Sequence, residues 1–266
     1  MPPDSSKPRL SIYIIAYNEA DKIAAAINSV LWADEVVVVD SYSEDSTAAI
    51  AESLGATVIQ IAFEGFGKLR NDAIAACKHD WVFSLDADER CTPEAAAEIQ
   101  RIIASPDSAD AWYIPRKNWF MGRWIRHCGW YPDYRQPQLF RKQALLFNES
   151  DEVHEGFEIR GSVGHMQQPI WQFPFRDLTQ IQAKGMRYSS LGALKLERNH
   201  VQAGMGKALL RGLWTFFRIY ILKLGFLDGW AGFVIAFGNL EGTFYRYAKL
   251  CERREGWDQP PPPSQS

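Results

Sequence analysis

The chain reads Trp81-Val82-Phe83-Ser84-Leu85-Asp86-Ala87-Asp88-Glu89 in its first half, an apolar run that ends abruptly in acidic residues. A run of this length, bounded by polar residues, is typical of a buried strand. Two carboxylates just past such a strand lie where open α/β sheets bind ligands. Carboxylate oxygens suit Mg²⁺ or Mn²⁺, which proteins usually hold with one or two carboxylates plus substrate phosphates. A solvated acidic loop would give the same pattern, so its meaning depends on the rest of the chain.

The residues around this stretch alternate between strand and helix patterns. Strand patterns cover residues 10–16, 35–39, 57–61, 81–85 and 111–115, and helix patterns cover residues 19–32, 45–54, 68–78 and a segment that opens at Thr92. Strands that alternate with helices predict an α/β fold with a doubly wound, mainly parallel, Rossmann-like sheet. From Arg176 onward the pattern is helical, which predicts a helical C-terminal extension.

Polar clusters follow three of the predicted strands. They are Tyr17-Asn18-Glu19, Asp40-Ser41 and Asp86-Ala87-Asp88. Right-handed crossovers place the carboxyl ends of parallel strands at one edge of a sheet, so we expect the clusters to lie together. Each has a simpler alternative: Asp40 could cap the following turn, and Glu19 could be a first-turn acid that the helix dipole stabilises.

A glycine-bearing segment, Gly65-Phe66-Gly67-Lys68-Leu69-Arg70, opens the third predicted helix. It differs from a dinucleotide fingerprint because Arg70 stands where the third glycine would allow close helix–strand packing. Lys68 and Arg70 could instead hold phosphate oxygens with charge-assisted hydrogen bonds.

The net charge, the cysteine spacing and the composition of the terminal segments argue against several classes of protein. The net charge of −3 and a pI near 6.0 argue against a nucleic-acid partner. The four cysteines are widely spaced, which predicts free thiols rather than a zinc ribbon. Residues 1–9 are expected to be a flexible N-terminus without a signal-peptide pattern, and residues 256–266 a disordered proline-rich tail.

Taken together, the motifs resemble those of GT-A fold glycosyltransferases of family 2. They are Ala16-Tyr17-Asn18-Glu19, Val38-Val39-Asp40-Ser41, Gly67-x-x-Arg70-Asn71 and Leu85-Asp86-Ala87-Asp88-Glu89. Two later segments, Pro137-Gln138-Leu139-Phe140-Arg141 and Val153-His154-Glu155, are similar to the bacterial branch that builds lipopolysaccharide cores, including its β-1,4-glucosyltransferases.

The resemblance implies a nucleotide-sugar donor, expected to be a UDP-hexose, and a Mn²⁺ or Mg²⁺ cofactor. Donor contacts would come from Tyr17, Glu19, Asp40, Arg70 and Asp86, and the metal ligands would be Asp88 and Asp86. Asp40 would contact the uracil or ribose, and Asp86 would serve the ribose as well as the ion. The metal would neutralise charge on the leaving diphosphate.

The resemblance also implies inversion at the anomeric carbon, with one carboxylate as the base. Glu155 occupies that position, and Asp151 and Glu152 are close rivals. Relatives often carry a histidine where this chain has Gln172, so the chain departs from the resemblance on the acceptor side.

Residues 116–135 are rich in aromatic and basic side chains, as an acceptor platform would be. The candidate acceptor residues are Trp119, Trp124, Arg126, Trp130 and His154. The alternative for the tryptophans is core or interface packing, and for His154 a loop position without a role.

The predicted division is a GT-A catalytic domain over residues 10–175, with a nucleotide-sugar half (10–110) and an acceptor half (111–175), then a helical region over residues 176–255.

The C-terminal region bears on membrane attachment. Residues 208–240 are apolar but lack an uninterrupted span of 18 apolar residues, so a transmembrane helix is not expected. Lys207, Arg211 and Arg218 fall on one side of a helical wheel, as in an interfacial helix on anionic lipid. An oligomer interface or a buried helix would be the alternative.

The sequence thus predicts an inverting glycosyltransferase that moves a hexose, expected to be glucose, to a lipopolysaccharide-core or other lipid-linked saccharide. We expect it at the cytoplasmic face of the inner membrane as a peripheral protein. The alternatives are a nonenzymatic membrane-associated scaffold that binds nucleotide sugars, or a nucleotidyltransferase. The second would usually carry a glycine-rich loop after its first strand, and residues 16–19 lack one.

Overall fold

The computed structural model describes residues 8–149 and 156–255. The chain divides into two compact units, Met1–Trp119 with Tyr131–Pro174, and Phe120–Trp130 with Phe175–Ser266. This grouping differs from the division expected from the sequence, because residues 120–130 join the C-terminal helices instead of the segment 111–175.

The described strands and helices follow the alternation that the sequence predicts. The strands are β1 (Leu10–Ala16), β2 (Glu35–Asp40), β3 (Thr57–Gln60), β4 (Trp81–Asp86), β5 (Glu89–Arg90), β6 (Ala111–Tyr113), β7 (Arg116–Phe120), β8 (Arg123–Trp124), β9 (Pro137–Arg141), β10 (Leu145–Phe147), β11 (Phe157–Ile159), β12 (Val163–His165) and β13 (Ile170–Gln172). The helices are α1 (Ile23–Asn28), α2 (Thr47–Ser53), α3 (Phe66–Ala76), α4 (Pro93–Ala104), α5 (Leu178–Arg198), α6 (Met205–Phe217) and α7 (Gly229–Glu255).

The first unit is built on a seven-stranded sheet in the order β12-β6-β9-β4-β1-β2-β3. Neighbouring strands are parallel except where β9 runs antiparallel to β4 and β6. The prediction of a mainly parallel α/β sheet is therefore confirmed. One antiparallel strand within a larger parallel sheet is a common arrangement in such folds.

Both faces of this sheet are buried, which explains the continuous apolar runs in its central strands. Ile12, Ile14 and Phe83 belong to the core on one face. Tyr13 and Val82, the alternating residues of the same strands, belong to the core on the other face. The polar residues that interrupt these runs are consequently confined to the strand ends.

Helix α1 is shorter than the helix predicted over residues 19–32. Its described span begins at Ile23 because the preceding residues form a turn, in which the N–H groups of Lys22 and Ile23 bond to the carbonyl oxygen of Glu19. The turn is held from outside by the Thr47 hydroxyl, which accepts from the N–H of Glu19 at 2.9 Å. Tertiary contact thus replaces the first helical turn.

The second unit is helical, with α7 packed against both α5 and α6. A π-helical turn (Arg218–Leu222) and a 3-10 turn (Gly225–Asp228) connect α6 to α7. Residues of the 120–130 segment, Ile125 and Cys128, join Ile219 and Ile235 in its core. Among the described residues no single helix is long and apolar enough to cross a bilayer, but the bent pair Met205–Leu222 and Gly225–Arg254, at 72°, reaches the required length and composition.

Candidate functional site

Two of the three polar clusters are aligned directly by the register of the sheet. Ala16 at the end of β1 lies opposite Asp40 of β2, and Ile15 lies opposite Asp86 of β4. The chain proceeds from β1 to β2 and β3 on one side, whereas β4 pairs on the other side of β1. The ends of β1 and β4 therefore flank a topological switch point, where open α/β sheets bind ligands.

Asp86 is held at this edge by an arginine from helix α3. The buried Arg70 guanidinium donates to the Asp86 Oδ1 at 3.2 Å and to the Ser84 Oγ at 3.1 Å. Arg70 also lies over the Phe147 ring, 5.6 Å from its centroid. Because this arginine is buried and paired with Asp86, it holds the acidic turn in place, and its contact with the donor stays a prediction.

Glu89 anchors the same turn from inside the protein, a role that the sequence analysis missed. Its fully buried carboxylate accepts from the backbone N–H of Asp86 at 3.0 Å and from the Gln138 Nε2 at 2.8 Å. Its other oxygen accepts from the Arg116 Nε at 2.6 Å, and Arg116 is also buried. Two carboxylates and two guanidiniums thus form a compact, charge-balanced cluster beneath the sheet edge.

The two carboxylates of this cluster have opposite pKa shifts. Burial opposes ionisation of Asp86, but the Arg70 and Arg116 guanidiniums outweigh it and hold the pKa of Asp86 below its usual range. Burial raises the pKa of Glu89, and the negative charge of Asp86 adds to that rise against the attraction of Arg116. Asp86 is therefore the group kept ionised for a cation or for hydroxyl donors.

Asp88 lies in the same turn and is half-buried. Its carbonyl oxygen accepts from the N–H of Phe173 at 2.8 Å, so its backbone is fixed by the segment after β13. The Arg90 guanidinium donates to the carbonyl oxygens of Ala87 at 2.8 Å and Lys22 at 3.0 Å. Burial lowers the pKa of Arg90, while the negative charges of Asp88, Glu19 and Asp21 act to raise it.

The carboxylate oxygens at this edge suit a hard divalent cation. Substrate oxygens would complete the coordination shell of that cation. Among residues 8–149 and 156–255, no three acidic, histidine or cysteine side chains form a ready metal site. Asp86 and Asp88 nevertheless offer carboxylate oxygens two residues apart at the strand end. Mg²⁺ and Mn²⁺ are commonly bound by one or two carboxylates plus substrate phosphates, which is the set these two residues could begin.

The segment after β1 is ordered by the loop after β2. The N–H of Asn18 donates to the Ser43 Oγ at 2.9 Å, and the Asn18 Oδ1 accepts from the N–H of Glu44 at 2.9 Å. Tyr17, in contrast, is 56% exposed. A Tyr17 ring in this position is free to stack on a planar ligand at the sheet edge.

Asp40 has the bonding of a turn cap. It is fully buried, and its two oxygens accept from the backbone N–H and the hydroxyl of Ser43. Contact between Asp40 and a nucleotide would require movement of the surrounding residues, because Asp40 is 0% exposed. The capping alternative therefore describes this conformation, and the donor role of Asp40 stays a prediction.

The described candidate acceptor residues are divided between the two units. Trp119 belongs to the first unit, where its ring packs edge-on against Trp171 at 5.6 Å between centroids. Trp124, Arg126 and Trp130 belong to the second unit. There the Arg126 guanidinium lies 4.5 Å from the Trp124 ring centroid, and Trp130 packs on an aromatic core and borders a cavity of about 540 Å³.

The predicted base and its neighbours lie outside the described residues. This applies to Glu155 and His154, and to the rivals Asp151 and Glu152. Gln172, the departure from the resemblance, is buried in β13 directly opposite Glu89. His165 stacks on Tyr113 at 5.1 Å between centroids, which gives it a packing role.

A close approach of backbone to helix α3 makes Gly67 necessary. A Cβ atom at position 67 would lie 2.1 Å from the carbonyl oxygen of Asn148. We expect Gly67→Ala to lower the free energy of unfolding by about 1–3 kcal/mol, measured by urea denaturation, since the backbone must shift. Gly242→Ala in α7, with open space around its Cβ, should be neutral or stabilising by up to about 1 kcal/mol. Equal losses in both variants would contradict the packing explanation.

The match to a family model agrees with this geometry. The model described as "Glycosyl transferase family 2" matches residues 11–162, which include the whole strand-end site. The chain belongs to glycosyl transferase family 2. Its carboxylates at the switch point are therefore those of a glycosyltransferase of this family.

Relatives of this family 2 glycosyltransferase align over nearly its whole length. An "Uncharacterized glycosyltransferase" of Rickettsia felis is 30% identical over 254 residues, covering 92% of this chain and 90% of the relative. The "Lipopolysaccharide core biosynthesis glycosyltransferase LpsC" of Rhizobium meliloti is 28% identical, covering 92% of each chain. The solved structure of S. aureus TarS 1–349 with UDP is similar at 17% identity and a TM-score of 0.47, covering 94% of this chain and 93% of that one.

Proposed function

We propose that this family 2 glycosyltransferase transfers a hexose, specifically glucose, from a UDP-sugar to a lipopolysaccharide-core or other lipid-linked saccharide. The observation that carries the donor side is the fixed acidic turn at the switch point, where Asp86 is kept ionised by Arg70. The similarity to a lipopolysaccharide-core glycosyltransferase supports the acceptor class.

The donor would lie with its diphosphate at the acidic turn. A Mn²⁺ or Mg²⁺ ion held by Asp88 and Asp86 would neutralise the charge that builds on the departing diphosphate. Tyr17 would stack on the nucleotide, and Glu19 would add a carboxylate beside the same edge. Arg70 would act indirectly by fixing the orientation of Asp86, through the 3.2 Å contact between them.

Inverting transfer needs one base and one leaving group. The acceptor hydroxyl would lose its proton to the Glu155 carboxylate while its oxygen bonds to the anomeric carbon. The bond from that carbon to the diphosphate oxygen breaks, and UDP leaves with the electron pair. Positioned general-base catalysis of this kind contributes about 10²–10⁴-fold.

Replacing Glu155 with glutamine should lower turnover by about 10²–10⁴-fold, since the amide cannot accept the proton. Donor binding, measured by calorimetry with the UDP-sugar and Mn²⁺, should stay within about twofold of the wild type. Asp151→Asn and Glu152→Gln are the matched controls and should retain most activity. If one of these two alone loses turnover, that residue is the base instead of Glu155.

A two-stage experiment tests the function as a whole. A thermal-shift screen of nucleotide sugars with Mn²⁺ identifies the donor, because ligands that bind the folded state raise its melting temperature. The selected donor is then incubated with lipopolysaccharide-core acceptors, and released UDP and product are measured. Donor binding without hydrolysis or transfer to any acceptor would favour a nonenzymatic scaffold, and pyrophosphate release from a nucleoside triphosphate would favour a nucleotidyltransferase.

A lipid-linked acceptor would bring the enzyme to the cytoplasmic face of the inner membrane. We include that location in the proposal because a UDP-sugar donor and a lipid-linked acceptor meet at such a surface. Fractionation of cells by centrifugation, with salt extraction of the membrane pellet, tests it. Recovery in the soluble fraction at low ionic strength would contradict it.

A further inference from the structure

Helix α6 in the second unit buries small residues and exposes several large apolar ones, the opposite of an ordinary core-packing helix. Its buried residues are the small Ala208 and Gly212, and Gly212 lies where a Cβ would be 3.2 Å from the Leu240 carbonyl oxygen. The large side chains point outward, with Leu210 69% and Trp214 52% exposed. A surface helix normally turns its large apolar side chains toward the core, so this outer face is built for another apolar environment.

The exposed apolar surface continues through the turns that follow α6 into the start of α7. Leu222 is 57%, Leu227 53% and Trp230 78% exposed. We call the exposed apolar side chains of residues 209–230 the apolar face. Leucine, phenylalanine and tryptophan together on one exposed surface are typical of proteins that insert into the boundary between lipid headgroups and acyl chains.

The charges on this segment have one sign. Between residues 199 and 240 the chain has four cations, Lys207, Arg211, Arg218 and Lys223, and one acid, Asp228. The four cations are exposed, whereas Asp228 is buried. Its carboxylate accepts from the backbone N–H of His127 at 2.8 Å and lies 3.1 Å from the His127 Nδ1, so it is used inside the fold. The surface presented by this segment is therefore apolar and cationic.

From these observations we propose that the apolar face inserts into the headgroup region of an anionic lipid bilayer. Cationic side chains at the border of an apolar surface complement anionic headgroups. Burial of the same face against a second copy of the chain would gather the cations of both copies at one contact, because a twofold interface uses the same patch of each copy. The four cations within 207–223 also favour a location in the interface over a membrane crossing. This inference is independent of the donor and acceptor.

The test uses the full chain with vesicles of phosphatidylglycerol and phosphatidylethanolamine, and vesicles of phosphatidylcholine alone. We expect cosedimentation with the anionic vesicles at least about tenfold stronger than with phosphatidylcholine, and weaker as salt rises. Arg211→Glu with Arg218→Glu should remove the preference for anionic lipid. Brominated lipids in the bilayer should quench the fluorescence of the wild-type protein through Trp214 and Trp230.

Matched leucine substitutions distinguish an effect of the apolar face from the effect of removing any exposed leucine. Leu222→Ser with Leu227→Ser should weaken vesicle binding by at least about tenfold, because two large apolar side chains leave the bilayer. Leu31→Ser with Leu146→Ser, at residues 53% and 47% exposed on the first unit, should leave it unchanged. Wild-type protein that binds neither vesicle and shows no quenching would overturn the proposal. So would a dimer, seen by sedimentation velocity, that Leu222→Ser with Leu227→Ser dissociates while vesicle binding is absent.

Discussion

Replacing Asp88 with alanine is expected to lower sugar transfer by at least about 10³-fold while leaving the melting temperature within about 2 °C of the wild type. A bound metal supplies several kcal/mol of charge stabilisation to a leaving diphosphate, and each 1.36 kcal/mol is about a factor of ten in rate. Asp88 is half-buried, whereas Glu89 and Arg116 are fully buried, so its replacement should leave the buried cluster in place. Its backbone stays fixed by the bond from the Phe173 N–H.

The measurement is transfer rate against Mn²⁺ and Mg²⁺ concentration, together with thermal unfolding. Asp107→Ala, at an exposed acid after helix α4, is the matched control and should behave as the wild type. Asp86→Ala should differ from Asp88→Ala by also lowering the melting temperature, because it leaves the buried Arg70 without its carboxylate partner. An Asp88→Ala variant with undiminished metal-dependent transfer would contradict the assignment of Asp88 as a metal ligand.

Replacing Arg116 with methionine is expected to lower the free energy of unfolding at pH 8 by about 3–5 kcal/mol, the usual cost of breaking a buried ion pair from one side. Arg116 and Glu89 are both buried and joined at 2.6 Å. Methionine fills similar space, so the loss comes from the uncompensated carboxylate and from the lost bond to the Asp133 carbonyl oxygen, 2.9 Å away in the wild type.

The pH dependence identifies the cause of that loss. The pKa of Glu89 is already raised in the folded state, mainly by burial, and the loss of Arg116 raises it further. A carboxyl group whose pKa is higher in the folded than in the unfolded protein stabilises the fold fully below its unfolded pKa. This contribution is lost as the pH rises through its folded pKa. The deficit of the variant should therefore be smaller at pH 5 than at pH 8.

Urea denaturation at the two pH values gives the comparison, and Glu89→Gln with Arg116→Met completes the double-mutant cycle. The double variant should regain part of the stability, since it buries no unpaired charge. A deficit that is equal at both pH values would point to lost packing or to the Asp133 bond as the cause. The same variants should bind donor more weakly, because Glu89 also holds the N–H of Asp86.

The parts of the fold that the sequence could predict are those with local, repeating signals. The central strands are buried on both faces, so each appears as an apolar run, and the polar residues after each run mark the edge of the sheet. The register then places Asp86 and Asp40 on either side of β1. Strand pairing is the additional information that brings these two carboxylates to one edge of the sheet.

The support of the site could not be predicted in the same way. Glu89 is the third acid within four residues, and such an acidic stretch normally indicates solvent exposure. Its burial depends on Arg116 and Gln138, which reach it from other strands. Residues 120–130 likewise have a loop-like composition, and only the packing of Ile125 and Cys128 on the C-terminal helices assigns them to the second unit.

The attachment of the acidic turn to β13 has a consequence for protein engineering. Glu89 pairs with Gln172, and the carbonyl oxygen of Asp88 accepts from the N–H of Phe173. A mutant library built to change the metal preference would ordinarily randomise only the positions nearest the ion. Here positions 172 and 173 belong in the same library, because a small displacement of β13 would move the carboxylates that we propose as metal ligands and so change the size of ion that they could accept.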